Sequence, residues 1–376
     1  MTDWRIPFNR ASVTGSELPN IREAIDRGHI SGDGPFTRRC EEMLQEALGA
    51  PRVLLTTSCT HALELAALLL NVGPGDEVIV PSFTFVSTAA AFALRGATIV
   101  FADVRPDTLN LDEALVAGLF TERTRAIVPV HYAGVGCELE PLLATGVPVV
   151  EDNAHGLFGS FRGKPLGTFG AVAAQSFHET KNLTCGEGGA LVLNDEELVD
   201  RAEVIREKGT DRKRFFRGQV DKYTWVELGS SYVLTDLLAG FLAAQLEQRD
   251  EIQVARRRLW ERYDAELAGW AEETGVRRPI VPEHAEQAWH MYYILLPSFD
   301  ARTALIEHLR ARGILAVFHY LPLHLSAMGR RFGGHEGQCP VTEEVSDRLL
   351  RLPFYTSMTE AEQAEVIGAV REFRGV

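Results

Sequence analysis

The sequence predicts an α/β protein: a larger domain on a mostly parallel sheet, then a smaller α+β domain. Three observations carry this. Short apolar runs alternate with segments of helical period, at Val53–Leu55, Val78–Val80, Thr98–Phe101, Ala126–Val130, Val147–Val150, Gly170–Phe177 and Ala190–Leu193. Most intervening segments are long enough for crossovers, which parallel strands need and hairpins do not. Beyond a long charged amphipathic stretch, Asp250–Glu266, the alternation gives way to a mixture of short strands and helices. The expected division is therefore 1–247, including an N-terminal arm, and 248–376, opening on a bridging helix.

In order, residues 1–30 read as an arm and one short helix. Gly32–Pro35 (GDGP) is a turn signal, and Phe36–Leu48 carries apolar residues at helical spacing. Val53–Leu55 runs into Thr56-Thr57-Ser58-Cys59-Thr60 and an apolar helix, Ala62–Leu70. Val78–Val80 ends at Pro81, and Ser87–Leu94 is helical. From Asp195 to Glu247 the pattern is helical, interrupted by a basic loop, Arg212–Arg217, and by Lys222–Trp225. The C-terminal part contributes Met291–Leu296, Arg302–Arg312, Leu315–Phe318 and a last helix near Glu360–Phe373, with an aromatic, imidazole-rich loop at Phe318–His324.

In parallel sheets ligands sit beyond the carboxyl ends of the strands. Those ends here offer Ser58, Thr60, Phe85, Asp152, His155 and Ser176, with Lys181 shortly after. The strand–small-polar-turn–helix order at Thr56–Thr60 suits a phosphate, because the first amides of a helix lack internal partners. Simple N-capping by Ser58 or Thr60 explains the same residues. Lys181 lies in SFHETKNLTCGEGG (Ser176–Gly189), either as a surface lysine of a hairpin loop or as a desolvated amine able to attack a carbonyl. A phosphate seat, an aromatic platform, a carboxylate and a lysine are together what pyridoxal phosphate (PLP) requires of a protein. The basic loop reads either as a solvated connection or as a grip on an anionic ligand.

Composition narrows the function. The 376 residues carry 38 basic and 52 acidic side chains, a net charge of −14, which argues against nucleic acid as a partner. The five cysteines are scattered and unpaired in spacing, so neither a disulfide framework nor a zinc site is expected, and a reducing cytoplasm fits. The N-terminus has no apolar signal core, and no apolar run reaches the roughly 18 residues of a membrane span. His178–Asn182 begins like HExxH but ends in asparagine, Gly159–Lys164 is one residue short of a P-loop, and His319 with His324 lacks a third metal ligand. No metal is expected.

Taken together, SGDGPFTRRCEE (Ser31–Glu42), TSCTHALELAALLL (Thr57–Leu70), PGDEVIVPSFTFVST (Pro74–Thr88), VHYAG (Val130–Gly134), VVEDNAHG (Val149–Gly156), SFHETKN (Ser176–Asn182), GEGGA (Gly186–Ala190), IREKGT (Ile205–Thr210), FFRGQVDKYTW (Phe215–Trp225) and FHYLPLH (Phe318–His324) carry a resemblance over nearly the whole chain. It is to the DegT/DnrJ/EryC1/StrS sugar aminotransferases, which have the fold-type I, aspartate aminotransferase-like architecture. FFRGQVDKYTW and SFHETKN are most similar to the members that make dTDP-4-amino-4,6-dideoxygalactose.

The resemblance implies roles. Lys181 matches the lysine that carries the cofactor and shuttles the proton, and Asp152 the acid facing the ring nitrogen. His155 stands near the phenolic oxygen, Phe85 stacks on the ring, and Ser58, Cys59, Thr60 and Ser176 hold the phosphate. Ser231 replaces the asparagine with which many relatives reach the phosphate of a second subunit, and a serine is shorter. Arg217, His319 and Tyr320 are candidate nucleotide-sugar contacts. A homodimer with shared active sites, PLP/PMP as cofactor, L-glutamate as donor and a dTDP-4-keto-6-deoxyhexose aminated at C4 are implied. Alternatives are a 3-keto-sugar aminotransferase and a related PLP/PMP sugar dehydratase. The dehydratases carry histidine where this chain has Lys181. A regulator that binds the cofactor without turnover would lack the lysine or the acid.

Overall fold

The computed structural model describes residues 4–375. Its central sheet contains β1 (Arg52–Thr56), β2 (Glu77–Pro81), β3 (Thr98–Ala102), β4 (Thr124–Ile127), β5 (Val150–Asp152), β6 (Val172–Ser176) and β7 (Gly189–Leu193). Hydrogen bonds order them as β1-β7-β6-β5 and β3-β2-β4. Parallel bridges Ile127↔Val149 and Val130↔Asp152 join the two groups into one sheet. The strands run parallel except β7, which is antiparallel to both β1 and β6. Every residue of β2, β6 and β7 is buried, as expected when helices cover both faces.

Alternation along the strands divides the core in two. Leu54, Val80, Ala174 and Leu191 pack on one face with the helix Cys59–Leu69. Val53, Leu55, Ala173 and Val192 pack on the other with Phe36, Leu44 and Leu242. The helix Pro35–Leu48 starts with proline at its first position, and its orphan amides are capped from far away in sequence. Asp236 accepts from Thr37 N at 2.8 Å and from Phe36 N at 3.3 Å.

Two strands differ from the sequence reading. The run Val147–Val150 becomes Val150–Asp152, so the acid belongs to the last rung of β5 instead of following it. Charged Glu151 hides this in the sequence, but its carboxylate is neutralised locally, by His131 at 2.9 Å and by the amides of Gly167, Phe169 and Gly170. The run Ala126–Val130 shortens to Thr124–Ile127, followed by Pro129, which has no N–H for a ladder.

The C-terminal part begins with a longer helix than expected, Arg249–Thr274, because Leu267, Trp270 and Ala271 continue its buried stripe. Gly275 stops it at φ 70°, a left-handed cap that glycine adopts at no steric cost. A small antiparallel sheet follows, Tyr293–Leu295 and Val317–Phe318 flanking Leu349–Arg351. The helices Phe299–Arg310 and Glu360–Glu372 pack with it in a separate core. Ile6, counted in sequence with the first domain, is buried in this second core and exchanges backbone bonds with Gly313 and Leu315. Among the described residues no helix is long and apolar enough to cross a membrane.

Candidate active site

A cavity of about 500 Å³ lies beyond the carboxyl ends of β1, β2, β5 and β6. Ser58, Cys59, Thr60, Phe85, Asp152, His155, Ser176, Lys181, His319 and Tyr320 all line it. These residues were singled out from segments far apart in the chain.

The β1–helix turn supplies one end. Ser58 is extended and its Oγ accepts from His61 N at 3.1 Å, so the expected N-cap is present. The cap uses the third amide of the helix and leaves those of Cys59 and Thr60 without intrahelical partners. Thr60 Oγ1 lies 2.7 Å from Ser87 Oγ. Gly189 explains part of the GEGG sequence: a Cβ there would stand 2.4 Å from the Ser58 carbonyl carbon and 2.5 Å from Cys59 N. The turn and β7 touch only because residue 189 has no side chain. Ser176, the last residue of β6, adds a further hydroxyl.

Asp152 is buried, and Thr88 Oγ1 donates to its Oδ2 at 2.7 Å, with Ala154 N on Oδ1 at 3.2 Å. Burial raises its pKa, opposed by these donors and by the charge of Lys181. Lys181, five residues past β6, is held in the turn by its backbone N–H to the carbonyl of His178 at 2.9 Å. Burial lowers its pKa to about 8, against the attraction of Cys59 and Asp152. The two groups therefore sense each other across one cavity. Burial also holds His155 well below the usual imidazole range and thus neutral at pH 7. Its ring stacks on His290 at 4.2 Å, and its buried Nδ1 has no partner among the described residues.

The C-terminal part closes the cavity. His319 Nδ1 lies 3.0 Å from the hydroxyl of buried Tyr132, and Tyr320 packs edge-on to Phe83. Phe85 is 57% exposed and stands at the rim. Among the lining residues not foreseen are His290 and Arg351. His290 bonds through Nδ1 to Asn182 Oδ1 at 2.9 Å. Arg351 is half-buried, stacks over Phe8 at 4.5 Å and donates from one terminal nitrogen to the Phe318 carbonyl at 3.4 Å, while its Nε has no partner among the described residues. A single arginine in LLRLP gives no local sign of facing a cavity. The neighbouring leucines identify a strand and nothing more.

Two expected residues lie elsewhere. Arg217 pairs with Glu203 at 2.9 Å and with Asp200 at 3.7 Å. The basic loop is a short helix, Arg212–Phe216, whose cations are engaged by nearby acids: Arg212 by Glu207, Lys213 by Glu203 and Arg214 by Asp200. It holds no ligand position in its own chain's cavity. Ser231 is exposed and forms an isolated bridge with Glu207, also away from the cavity.

The residues present fit PLP. Unpartnered helix amides and three hydroxyls suit a phosphate, Asp152 a protonated ring nitrogen and Lys181 an aldehyde carbon, while the unpaired Nδ1 of His155 awaits a polar atom. No group of three or more His, Cys, Asp or Glu side chains able to hold a metal occurs among the described residues.

Comparison with known proteins agrees. The profile of the DegT/DnrJ/EryC1/StrS aminotransferase family matches residues 12–371. The spore coat polysaccharide biosynthesis protein SpsC of Bacillus subtilis is 32% identical over 379 residues, covering 98% of this chain and 96% of its own. Spr1654 from Streptococcus pneumoniae, in its PMP form, superposes with a TM-score of 0.91 at 26% identity, covering 98% of each chain. The sugar aminotransferase CalS13 from Micromonospora echinospora superposes with a TM-score of 0.88 at 28% identity, covering 98% of this chain and 100% of its own. The chain belongs to the DegT/DnrJ/EryC1/StrS aminotransferase family and is a PLP-dependent sugar aminotransferase of fold type I.

Proposed function

We propose that this enzyme transfers the amino group of L-glutamate to C4 of a dTDP-4-keto-6-deoxyhexose, giving a dTDP-4-amino-4,6-dideoxyhexose. The observation that carries transamination is the meeting of Lys181 and Asp152 in one buried cavity. What supports C4 and the dTDP-sugar is the similarity of FFRGQVDKYTW and SFHETKN to enzymes of that specificity.

When bound, the cofactor supplies an electron sink for charge at the substrate carbon that loses its proton. The chain does the rest. Asp152, steadied by Thr88, keeps a proton on the ring nitrogen. Ser58, Cys59, Thr60 and Ser176 would hold the phosphate, Phe85 would cover the ring, and the unpaired Nδ1 of His155 would serve its phenolic oxygen. Lys181 Nζ would hold the cofactor and, as a free amine, would take and return the proton of the donor Cα as general base and acid. A pKa of about 8 leaves a usable fraction of free amine near neutrality. Arg351, whose Nε is unpaired, would offer its guanidinium to a carboxylate of the donor, a pairing for which the planar fork is suited. His319 and Tyr320 contact the sugar. Lys181 disfavours the dehydratase reading, which replaces that amine by imidazole.

We also propose a homodimer. Phe216, Tyr223, Trp225 and Leu228 are exposed around Arg217 and Ser231, and a second copy covering them would bring those two residues towards its own cavity.

The deciding experiment supplies dTDP-4-keto-6-deoxyglucose and 15N-glutamate and locates the nitrogen by NMR. Nitrogen on C4 is expected, and the ring couplings give its axial or equatorial orientation. Nitrogen on C3, or none transferred while glutamate still bleaches the cofactor, overturns the substrate assignment.

A further inference from the structure

Ser82, His324 and Glu343 form a hydrogen-bonded chain behind the cavity. Ser82 Oγ lies 2.6 Å from His324 Nδ1, and His324 Nε2 lies 3.0 Å from Glu343 Oε1. Serine, imidazole and carboxylate in this order outline a hydrolytic triad. Here that chemistry has no access: Ser82 and His324 are completely buried, and neither borders the cavity. The serine oxygen also accepts from the backbone N–H of His324 at 3.2 Å. The Glu343 carboxylate can only accept, so Nε2 carries the hydrogen donated to it, and in the neutral ring Nδ1 then accepts the Ser82 proton. The Glu343 carboxylate is fixed in turn by Gly337 N at 2.8 Å.

These three residues join three segments. Ser82 directly follows β2 and precedes Thr84 and Phe85. His324 ends the segment that bears His319 and Tyr320. Glu343 belongs to the helix Pro340–Arg348. The Ser82 carbonyl also accepts from Leu323 N at 3.0 Å, so the segment is pinned to β2 through backbone and side chain together. Two residues further on, Thr84 Oγ1 lies 2.8 Å from Thr88 Oγ1, which holds Asp152. One short stretch after β2 thus mounts both the acid and the wall opposite it.

We propose that Ser82, His324 and Glu343 are positioning residues for the sugar subsite. Their relay fixes His319 and Tyr320 relative to Asp152, so that a keto sugar meets preset partners. The inference rests on the reading above that His319 and Tyr320 touch the sugar. The relay sits on the sugar side of the cavity and leaves the lysine and the phosphate end untouched.

The test uses the holoenzyme with Ser82→Ala, His324→Gln and His324→Asn. Glutamine keeps a donor near the Nε2 position and loses the serine contact, whereas asparagine keeps an acceptor near Nδ1. In Ser82→Ala and His324→Gln the KM for the keto sugar is expected to rise roughly tenfold, the size of one buried hydrogen bond. Their kcat and the rate of cofactor bleaching by glutamate stay within about twofold. Amide exchange over residues 317–325 quickens by a similar factor while the rest of the chain is unchanged, and His324→Asn, which keeps the serine contact and loses Glu343, recovers the KM only in part. Unchanged KM and exchange in Ser82→Ala and His324→Gln overturn the relay. So does a parallel loss of both half-reactions with faster exchange everywhere, which is what a purely structural role predicts. If Ser82→Ala does not accumulate, His324→Gln carries the same test. His319→Ala and Tyr320→Phe separate the two readings: an unmoved KM in these, with local exchange still quickened in Ser82→Ala, sinks the sugar contacts and leaves the relay as a loop anchor.

Discussion

Lys181 is where burial has its clearest chemical effect. Its folded pKa of about 8 lies below the ordinary 10.5, because desolvation disfavours the ammonium. Between those values the unfolded chain binds a proton that the folded chain does not, so this residue makes stability rise with pH across that window. Lys181→Met should therefore stabilise the cofactor-free protein at pH 7, by an order of about 3 kcal/mol, with the gain shrinking as pH climbs towards 10. Urea unfolding at several pH values measures it, and a gain that grows with pH contradicts a desolvated lysine. The same variant should have no turnover. Asp152→Asn leaves the ring nitrogen without its anionic partner and should lower kcat/KM by roughly 10²- to 10⁴-fold, read by steady-state kinetics with glutamate. Arg351→Gln should raise the KM for glutamate by at least about tenfold, as expected for losing a charge-assisted pair. An unchanged donor KM in that variant removes Arg351 from donor binding.

At the scale of elements, the strand ends and the turns after them were legible because each is a short contiguous pattern. An apolar run followed by small polar residues and a helix marks Ser58–Thr60, and an apolar run followed by acids marks Asp152. Arg351 and His290 were not legible, since a lone polar residue in a short strand or in the irregular chain before one looks the same whether it faces water or a cavity. Strand β5 begins three residues and ends two residues later than expected, because its charged member, Glu151, is satisfied by amides 16 to 19 residues further along the chain, which no local pattern reveals. Gly189 is the sharpest element-scale prediction. A methyl there would overlap the backbone of Ser58 and Cys59, so Gly189→Ala should push the helix start away from β7. We expect about 1–3 kcal/mol of lost stability, typical of overpacking, together with weaker cofactor retention on dialysis. Full retention would mean that the phosphate seat does not depend on this contact.

For the whole molecule, alternation predicted the sheet and its parallel sense, and only the reversal of β7 was beyond periodicity. The domain division at 247/248 remains our proposal, with the N-terminal segment reassigned by its contacts. Ile6 is buried in the C-terminal core, while Phe8 and Asn9 line the cavity. Ile6→Ala should cost about 2–4 kcal/mol, as large-to-small changes in a packed core do. Calorimetry should show that loss in the transition of the C-terminal part. A loss of less than about 0.5 kcal/mol would mark the segment as loosely attached.

The cavity's two halves come from different parts of the chain. Lysine, acid and hydroxyls stand on the central sheet, whereas Arg351, His319 and Tyr320 arrive from the C-terminal part. Such a division of labour lets the walls of the cavity vary without disturbing the lysine and the acid. Chimaeras that exchange residues beyond the long bridging helix should accordingly keep their colour, while their affinity for donor and acceptor shifts.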